Sequence, residues 1–282
     1  MKSYDRMLKL ILEHGENTWN TKRLLGIQCR YNLHEKFPLL TKRKLWPKSI
    51  FGELLWILNG KTDILNLHNY GCGFWDNFID ECDPLNLAFH QRTKIPYGFF
   101  GPIYGFQLRH FGADYKDYLE KGYAFGFDQW TYLINNLKPN SRRHVVSYWN
   151  PMDLDMMRLP PCHYSFHVDI DNDQCLTLIL NQRSADMMLG VPNNVACYAA
   201  MAHIIANMVN AKPSLLIHNM EDAHIYHNQM DTAKEYLSRV GPESVPQLRV
   251  AKKRYVEELT QEDFVVEGYA PLPKIDIPLT VT

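Results

Sequence analysis

The sequence lacks the features that would point to a membrane or to duplex nucleic acid. No stretch approaches the roughly 18 consecutive apolar residues of a bilayer-spanning helix, and the apolar run at residues 54–58 is broken by Asn59 and Gly60. The 30 Lys and Arg side chains are balanced by 31 Asp and Glu, so the basic field that attracts duplex nucleic acid is missing. We therefore expect neither kind of partner.

The cysteine pattern offers no metal site. The six cysteines include no CxxC pair and no Cys/His series with the spacing of a zinc site, so we expect no metal. Residues 1–17 contain no long apolar segment before a small-residue cleavage site. We therefore expect reduced thiols and a cytoplasmic location.

Hydrophobic residues make up 46% of the 282 residues, enough for one large core. Glu53 stands among apolar neighbours in one predicted helix, and the Pro-, Gly- and aromatic-rich residues 76–105 indicate a long functional loop. Periodicity and turn signals predict helices at residues 3–14, 48–59, 127–138 and 194–209, and strands at 24–33, 143–149, 162–170, 174–180, 215–217 and 246–256. With no repeat or linker, this mixture predicts a single α+β domain over residues 1–282.

One group of residues suggests covalent chemistry on a phosphorylated compound. Cys162 follows Pro160 and Pro161 at the start of a predicted strand. A thiol becomes a useful nucleophile when positive charge favours its thiolate, and Arg183 can supply that charge. The guanidinium of Arg183 and the hydroxyl of Ser184 also suit an oxyanion such as phosphate.

Other residues allow more than one interpretation. Arg142 and Arg143 form either a second phosphate clamp or a solvated face, and Glu53 is either catalytic or an ion-pair partner. Asp186 and His224 offer a general acid/base pair or hydrogen-bonding partners for a planar ring. The residues alone therefore indicate a thiol enzyme acting on a phosphorylated small molecule.

Long segments of the chain resemble the thymidylate synthase family over nearly the whole length. They read FPLLTKRK, SIFGELLWILNG, FWDNF, GPIYGFQLR, NSRRHVVSYWNPMDLD, LPPCHYSF, NQRSADMMLGVPNN, DAHIYHNQ and, in the tail, GYAPLPKIDIP. The resemblance implies the thymidylate synthase fold, a mixed sheet with flanking helices that dimerises through the sheet. It also implies transfer of a one-carbon unit from 5,10-methylenetetrahydrofolate, the cosubstrate, to C5 of dUMP.

The resemblance implies a role for each matching residue. Cys162 is the nucleophile that adds to C6 of the pyrimidine, and Asn194 reads the O4/N3 edge, where an amide suits uracil. The catalytic set is completed by Glu53, Tyr104, Asn150 and Asp186. The other substrate contacts are Arg183 and Ser184 for phosphate, His224 and Tyr226 for the ribose 3′-hydroxyl, and Arg142 and Arg143 donated from the second subunit of a homodimer. The folate contacts are Trp75, Asp186, Leu189, Gly190 and Asn193.

The sequence departs from the family pattern in three places. The RTGTGT-like loop is shortened to ENTWNTKR, so that Lys22 or Arg23 has to replace its arginine. Asn193 stands where the GVPFN pattern has phenylalanine, and Phe78 replaces the second tryptophan of the WDxW pattern. Trp75 and the tail are kept.

These departures bear on the product. After one-carbon transfer, hydride from the folate gives a methyl group, whereas water gives a hydroxymethyl group. A polar Asn193 can hold water, so we expect a deoxyuridylate hydroxymethylase, with thymidylate synthase as the alternative. A nucleotide-binding module without turnover and a Cys-His hydrolase are two further hypotheses from other classes.

Overall fold

The computed structural model describes residues 2–80 and 82–280. The helices are α1 (Lys2–His14), α2 (Pro47–Leu58), α3 (Ile64–Asn69), α4 (Pro84–Thr93), α5 (Tyr104–His110), α6 (Tyr115–Lys121), α7 (Gln129–Asn136), α8 (Gly190–Val209) and α9 (Met230–Ser238). The strands are β1 (Glu16–Asn17), β2 (Thr21–Asn32), β3 (Val145–Ser147), β4 (His163–Ile170), β5 (Cys175–Gln182), β6 (Ala185–Asp186), β7 (Lys212–Tyr226), β8 (Gln247–Val250) and β9 (Phe264–Glu267). Short 3-10 helices occupy Asp76–Phe78, Leu154–Met156, His227–Gln229, Val256–Glu258 and Gln261–Asp263.

One mixed sheet organises these elements. Its strand order is β1-β2-β7-β5-β4-β3, with β6 beside β7. The contacts of β7 with β5 and β6 are parallel, and the remaining pairs in this sheet are antiparallel. Strands β8 and β9 form a separate hairpin. The predicted α+β class with helices flanking a mixed sheet is confirmed.

Helix α8 forms the centre of the core. Its sequence is apolar almost all round, and it packs against β5, β7 and α2. In α2, residues 50–58 are all buried, and Glu53 lies among them. A helix that is buried on every side needs no clean amphipathic stripe, because it has no solvent-facing side. The two helices therefore form a rigid layer beneath the sheet.

Three sequence predictions about extent were wrong, and the first is the strand predicted at 246–256, of which only β8 (Gln247–Val250) forms. Residues 76–105 are not a structureless loop, because α4 begins within them at Pro84, where the Asp83 side chain accepts a hydrogen bond from the Leu85 backbone N–H. Strand β7 has 15 residues instead of the three predicted at 215–217. Polar residues such as His218 and Asp222 interrupt the apolar pattern, so the sequence did not indicate the full strand. Its length is instead supported by pairing with β2 along one side and with β5 along the other.

The sheet topology brings the ends of several strands together at one place. The first residue of β4, His163, pairs with the last residue of β5, Gln182. In the same region, Asp186 of β6 pairs with His224 of β7. Residues just outside these pairs, including Cys162 and Arg183, are therefore brought to the same end of the sheet.

The backbone at Gly101 passes very close to the backbone at Met156, in the segment that leads toward Cys162. Gly101 has a φ of +82°, and a Cβ atom there would lie 2.0 Å from the Met156 carbonyl oxygen. A side chain at this position is therefore excluded both by strain and by contact. The approach leads the chain into α5, which begins at Tyr104. Among the described residues, no helix has both the length and the apolar character that a membrane crossing requires.

Candidate active site

The backbone on both sides of Cys162 is fixed by hydrogen bonds. The Cys162 N–H donates to the Tyr104 hydroxyl oxygen at 2.9 Å, and its carbonyl accepts from the Arg183 N–H at 2.8 Å. The thiol itself is half-buried at the start of β4. Cys162 therefore occupies a rigid position at the wall of a pocket.

Arg183 is attached to the same segment through its side chain. Its Nε donates to the Pro161 carbonyl at 3.0 Å, and its Nη2 donates to the Pro160 carbonyl at 2.7 Å. Burial raises the pKa of the Cys162 thiol; the Arg183 charge opposes this shift, and Asp186 reinforces it. Arg183 thus favours the thiolate in the direction that the sequence predicts, but burial outweighs it.

Two adjoining pockets meet beside Arg183. The first, the thiol pocket, has a volume of about 320 Å³ and is lined by Glu53, Trp75, Phe78, Tyr104, Leu159, Cys162, His163, Gln182, Arg183, Ser184, Asp186, Gly190, Asn194, His224, Tyr226 and Thr280. The second, the basic pocket, has a volume of about 510 Å³ and is lined by Thr18, Trp19, Asn20, Thr21, Arg23, Arg183, Ser184, Asp222, His224 and Tyr226. Arg183, Ser184, His224 and Tyr226 line both pockets. The arrangement suits a ligand with a ring in one pocket and an anionic group near the shared wall.

Glu53 is the buried acid of the thiol pocket. Burial raises its pKa, and a hydrogen bond from the Trp75 indole N–H to its Oε1, at 2.8 Å, partly counteracts the shift. The Trp75 ring packs against Phe78 and Tyr104, with centroids 5.4 and 6.1 Å away. A buried carboxyl with a raised pKa that lines the same pocket as the thiol is suited to proton transfer.

Asp186 and His224 lie on the paired strands β6 and β7. The Asp186 Oδ1 accepts the backbone N–H groups of Met188 and Leu189 at 2.8 and 3.1 Å. Burial raises the Asp186 pKa, while these hydrogen bonds and the nearby His224 oppose the shift. His224 Nδ1 lies 3.0 Å from Asp222 Oδ1, which fixes the orientation of its ring.

His163 has a structural environment. Burial lowers its pKa to about 3, its ring stacks on Tyr104 with centroids 4.2 Å apart, and its Nδ1 lies 2.7 Å from the Tyr198 hydroxyl. A neutral histidine held in this way is a poor general base for Cys162. The hypothesis of a Cys-His hydrolase therefore finds no support here.

Some residues predicted for the site are not among those that line the thiol pocket. Asn150 is buried and donates to Asp153 at 2.8 Å, and Asn193 donates to the Leu189 carbonyl at 3.0 Å. Neither Asn150, Leu189 nor Asn193 is among the residues that line either pocket. Arg142 and Arg143 are exposed and line a different pocket.

The structure distinguishes the two candidate loop cations. The Lys22 Nζ donates to the Leu12 carbonyl, at the end of α1, at 2.6 Å. Arg23 lines the basic pocket beside Arg183, and its Nη1 contacts Asp222 at 2.9 Å. The difference follows from strand pairing, because Arg23 lies opposite His224 on β7 and cross-strand partners share a face.

Sequence reasoning missed several polar members of the site and a residue that supports it. Gln182 lines the thiol pocket, Asp222 lines the basic pocket, and His218 contacts Gln182 from the core. Period-2 alternation in β5 and β7 was an available signal for Gln182 and His218, since both fall on the buried face of their strands. Among the described residues, no group of three or more His, Cys, Asp or Glu side chains has a metal-binding arrangement.

A thiol beside a guanidinium, at the end of a mixed sheet and next to a basic pocket, is characteristic of transferases that act on phosphorylated ring compounds. Comparison with known proteins agrees with this class. The family model for thymidylate synthase matches residues 2–281. The chain therefore belongs to the thymidylate synthase family, whose members transfer a one-carbon unit to dUMP with methylenetetrahydrofolate as cosubstrate.

Individual relatives share this similarity over most of their length. Thymidylate synthase from Homo sapiens is 40% identical over 270 residues, covering 93% of this chain and 83% of the relative. The enzyme of the same name from varicella-zoster virus (strain Dumas) is 38% identical over 285 residues, covering 100% of this chain and 93% of the relative. That from Mesoplasma florum is 36% identical over 297 residues, covering 98% of each chain.

The reactivity of Cys162 is expected to depend on pH through its raised pKa. Because only the thiolate reacts with iodoacetamide, alkylation of Cys162 should continue to accelerate as the pH rises through and beyond the ordinary thiol pKa of about 8.5. Arg183→Gln should move the pH at which the alkylation rate is half-maximal to a higher value, since it removes the charge that favours the thiolate. Mass spectrometry of the Cys162 peptide measures the rate. Arg183→Lys and the exposed Arg249→Gln are the controls, and a lower midpoint in Arg183→Gln would contradict the assignment.

Proposed function

We propose that the chain catalyses the reductive methylation of dUMP to dTMP, the reaction of a thymidylate synthase. Membership of the family supports the substrate class, and the packing of the C-terminal tail against the thiol pocket supports the methyl product. The Gln229 Nε2 donates to the Pro278 carbonyl at 2.9 Å, and Asn228 contacts the Thr280 hydroxyl at 3.0 Å. Thr280 thereby lines the thiol pocket. A tail held in this position excludes water from the site.

The residues that line the two pockets have complementary roles in this reaction. Cys162 Sγ adds to C6 of the pyrimidine, and the Asn194 amide hydrogen-bonds the O4 edge, where negative charge develops. Arg183 and Ser184 bind the phosphate at the shared wall of the pockets. His224, oriented by Asp222, hydrogen-bonds the ribose.

The thiol pocket also has the composition expected of a folate site. Trp75, Phe78 and Leu159 offer an aromatic and aliphatic wall, and the Asp186 carboxyl offers a polar contact. The folate, when bound, supplies the methylene carbon and the hydride. Glu53 and Tyr104 act from the chain's side: Tyr104 holds the Cys162 backbone, and Glu53 moves a proton near the ring.

Hydroxymethylation remains the second candidate, supported by the sequence at positions 78 and 193. Phe78 presents a smaller ring than the tryptophan of the family pattern, which leaves more room for water beside the folate. The support from Asn193 is weaker than the sequence suggested. Its amide is bonded to the Leu189 carbonyl, and its side chain is outside the lining of the pocket.

The product distinguishes the two candidates. Purified enzyme with dUMP and methylenetetrahydrofolate is expected to form one dihydrofolate and one dTMP per turnover, measured by absorbance and by mass spectrometry of the nucleotide. Asn193→Phe is expected to form the same product, because the Asn193 amide is bonded to the Leu189 carbonyl and is not among the residues that line the pocket. A hydroxymethyl nucleotide formed without dihydrofolate would refute the proposed synthase activity. Binding of dUMP without release of the C5 proton would instead indicate a module without turnover.

We further propose that Arg23 replaces the arginine of the shortened loop as a phosphate ligand. Its side chain is 32% exposed and lines the basic pocket with Arg183 and Ser184. Its buried Nε makes no hydrogen bond within the described residues. Asp222 holds Nη1 at 2.9 Å, and the Glu16 carboxylate lies 3.7 Å from Nε, which leaves Nη2 for an anion.

Arg23→Gln is expected to raise the KM for dUMP about tenfold, because a charge-assisted hydrogen bond to phosphate is lost. Steady-state kinetics and calorimetric titration with inorganic phosphate measure the effect. Lys22→Gln is the matched control and should leave KM unchanged, since the Lys22 ammonium is bonded to the Leu12 carbonyl. The double variant Arg23→Gln/Asp222→Asn, compared with Asp222→Asn alone, separates loss of the ligand from exposure of the Asp222 charge and from the effect of Asp222 on His224. An unchanged KM in both Arg23 variants would contradict the proposal.

We also propose a homodimer, acting in the cytoplasm, in which Arg142 and Arg143 complete the phosphate site of the partner. Both arginines are exposed, precede the edge strand β3 and line no part of the thiol pocket. All six cysteines are free, which supports a reducing location.

The sheet offers a surface for the second copy on the face opposite His218. A row of hydrogen-bonded side chains crosses four strands there, from Gln28 through Asn219 and Asn181 to Ser165, with distances of 2.9 to 3.0 Å. Because these groups satisfy one another along the row, the face can be covered by a second protomer without leaving them unpaired.

Complementation tests the exchange of arginines. Cys162→Ser alone and Arg142→Gln/Arg143→Gln alone are expected to be inactive or nearly so. After the two are mixed and allowed to exchange subunits, about a quarter of the wild-type rate should return, because half of the dimers are mixed and each has one complete site. Size-exclusion chromatography verifies the dimer. If the dimers exchange subunits but no activity returns, the arginines do not act across the interface.

A further inference from the structure

A row of three polar side chains runs from the core of the sheet to the lining of the thiol pocket. His218 of β7 is 0% exposed and Gln182 of β5 is 2% exposed. His218 Nε2 lies 2.8 Å from Gln182 Oε1, and Gln182 Nε2 lies 3.2 Å from the Oδ1 of Asn194 on α8. The row therefore connects the core of the sheet to a residue that lines the pocket.

The direction of each hydrogen bond in this row is determined by a backbone carbonyl. The Ser184 carbonyl can only accept, and it lies 2.9 Å from the Gln182 amide nitrogen. The Gln182 amide oxygen consequently faces His218, whose Nε2 has to carry the proton and donate it. Burial lowers the His218 pKa to about 3, so the ring is neutral and Nε2–H is its single donor. His218 Nδ1 is buried without a hydrogen bond in the described residues.

This orientation determines which end of Asn194 meets the ligand. The second N–H of Gln182 is donated to Asn194 Oδ1, which occupies the oxygen end of that amide. Among the described residues, no hydrogen-bond acceptor reaches Asn194 Nδ2, although Asn194 lines the thiol pocket. Turning the amide over would place two N–H donors against each other and lose the bond to Gln182. Asn194 is therefore held with its donor available to the pocket.

We infer that His218 is a positioning residue for substrate choice, acting through Gln182 to hold Asn194 as a hydrogen-bond donor. A pyrimidine with a carbonyl acceptor at ring position 4 matches this arrangement, whereas one with an amino donor there meets a second donor. The inference rests on the proposed nucleotide site. It explains how an amide that can donate or accept discriminates between uracil and cytosine.

His218→Phe tests this role, because it keeps an aromatic ring and removes the donor. Without that donor, the Gln182 oxygen is unpaired in the core and the amide no longer has one favoured orientation. The ratio of kcat/KM for dCMP to kcat/KM for dUMP is expected to rise about tenfold, since Asn194 becomes free to present its oxygen. If turnover of dCMP is too slow to follow, the ratio of the two Kd values is measured by calorimetry.

Three further variants separate positioning from general damage. His218→Gln restores an N–H at a similar distance and should return the ratio to that of wild type. Gln182→Met breaks the row at its centre and should raise the dCMP to dUMP ratio at least as much as His218→Phe does. His203→Phe changes another buried histidine, one on α8 whose Nε2 has no hydrogen-bond partner, and should leave the ratio unchanged.

The outcomes distinguish this inference from the proposed function. If His218→Phe and Gln182→Met fold, as judged by circular dichroism, and keep the wild-type ratio within about twofold, the positioning role is refuted. Equal decreases in kcat/KM for dUMP and for dCMP would also refute it, since they indicate a structural role alone. If wild-type enzyme binds neither nucleotide, the proposed function itself fails. If His218→Phe does not fold, the Gln182→Met ratio decides.

Discussion

Three hydrogen bonds join Arg183 to the segment that carries the thiol, one from its backbone N–H and two from its guanidinium. They connect the end of β5 to the turn before β4, so the cation and Cys162 cannot move independently. Arg183 also lines both the thiol pocket and the basic pocket. If this attachment were lost, the thiol, its favourable charge and the proposed phosphate contact would all be displaced together. The other parts of the site are arranged around this attachment.

Burial acts on every acid of the thiol pocket in the same direction. It raises the pKa values of Cys162, Glu53 and Asp186, while Arg183, Trp75 and the backbone N–H groups near Asp186 oppose it. Burial therefore opposes negative charge on each of these three groups. The low polarity that raises these pKa values also strengthens each hydrogen bond made to the ligand.

Polar side chains that hydrogen-bond to one another fix the geometry proposed for the site. Gln182 and His218 orient Asn194, and Asp222 orients both His224 and Arg23. Such supporting groups hold a site in one geometry because their own hydrogen bonds leave them no alternative arrangement. The C-terminal tail adds a wall on the open side of the pocket, where Asn228 holds Thr280.

The sequence by itself predicted the core helices and was sufficient to propose the central chemical group. The 3.6-residue period of α1 and the long apolar segments of α2 and α8 do not depend on their neighbours, and Cys162, Arg183 and Asn194 were identified from short motifs. Only the tertiary structure distinguished Arg23 from Lys22, because adjacent strand residues face opposite sides and the pairing of β2 with β7 decides which side holds the pocket. It likewise turned Asn193 toward its own helix backbone and revealed His218 behind Asn194. Hydrophobic periodicity is local, whereas the partner of a polar side chain depends on segments distant in the chain.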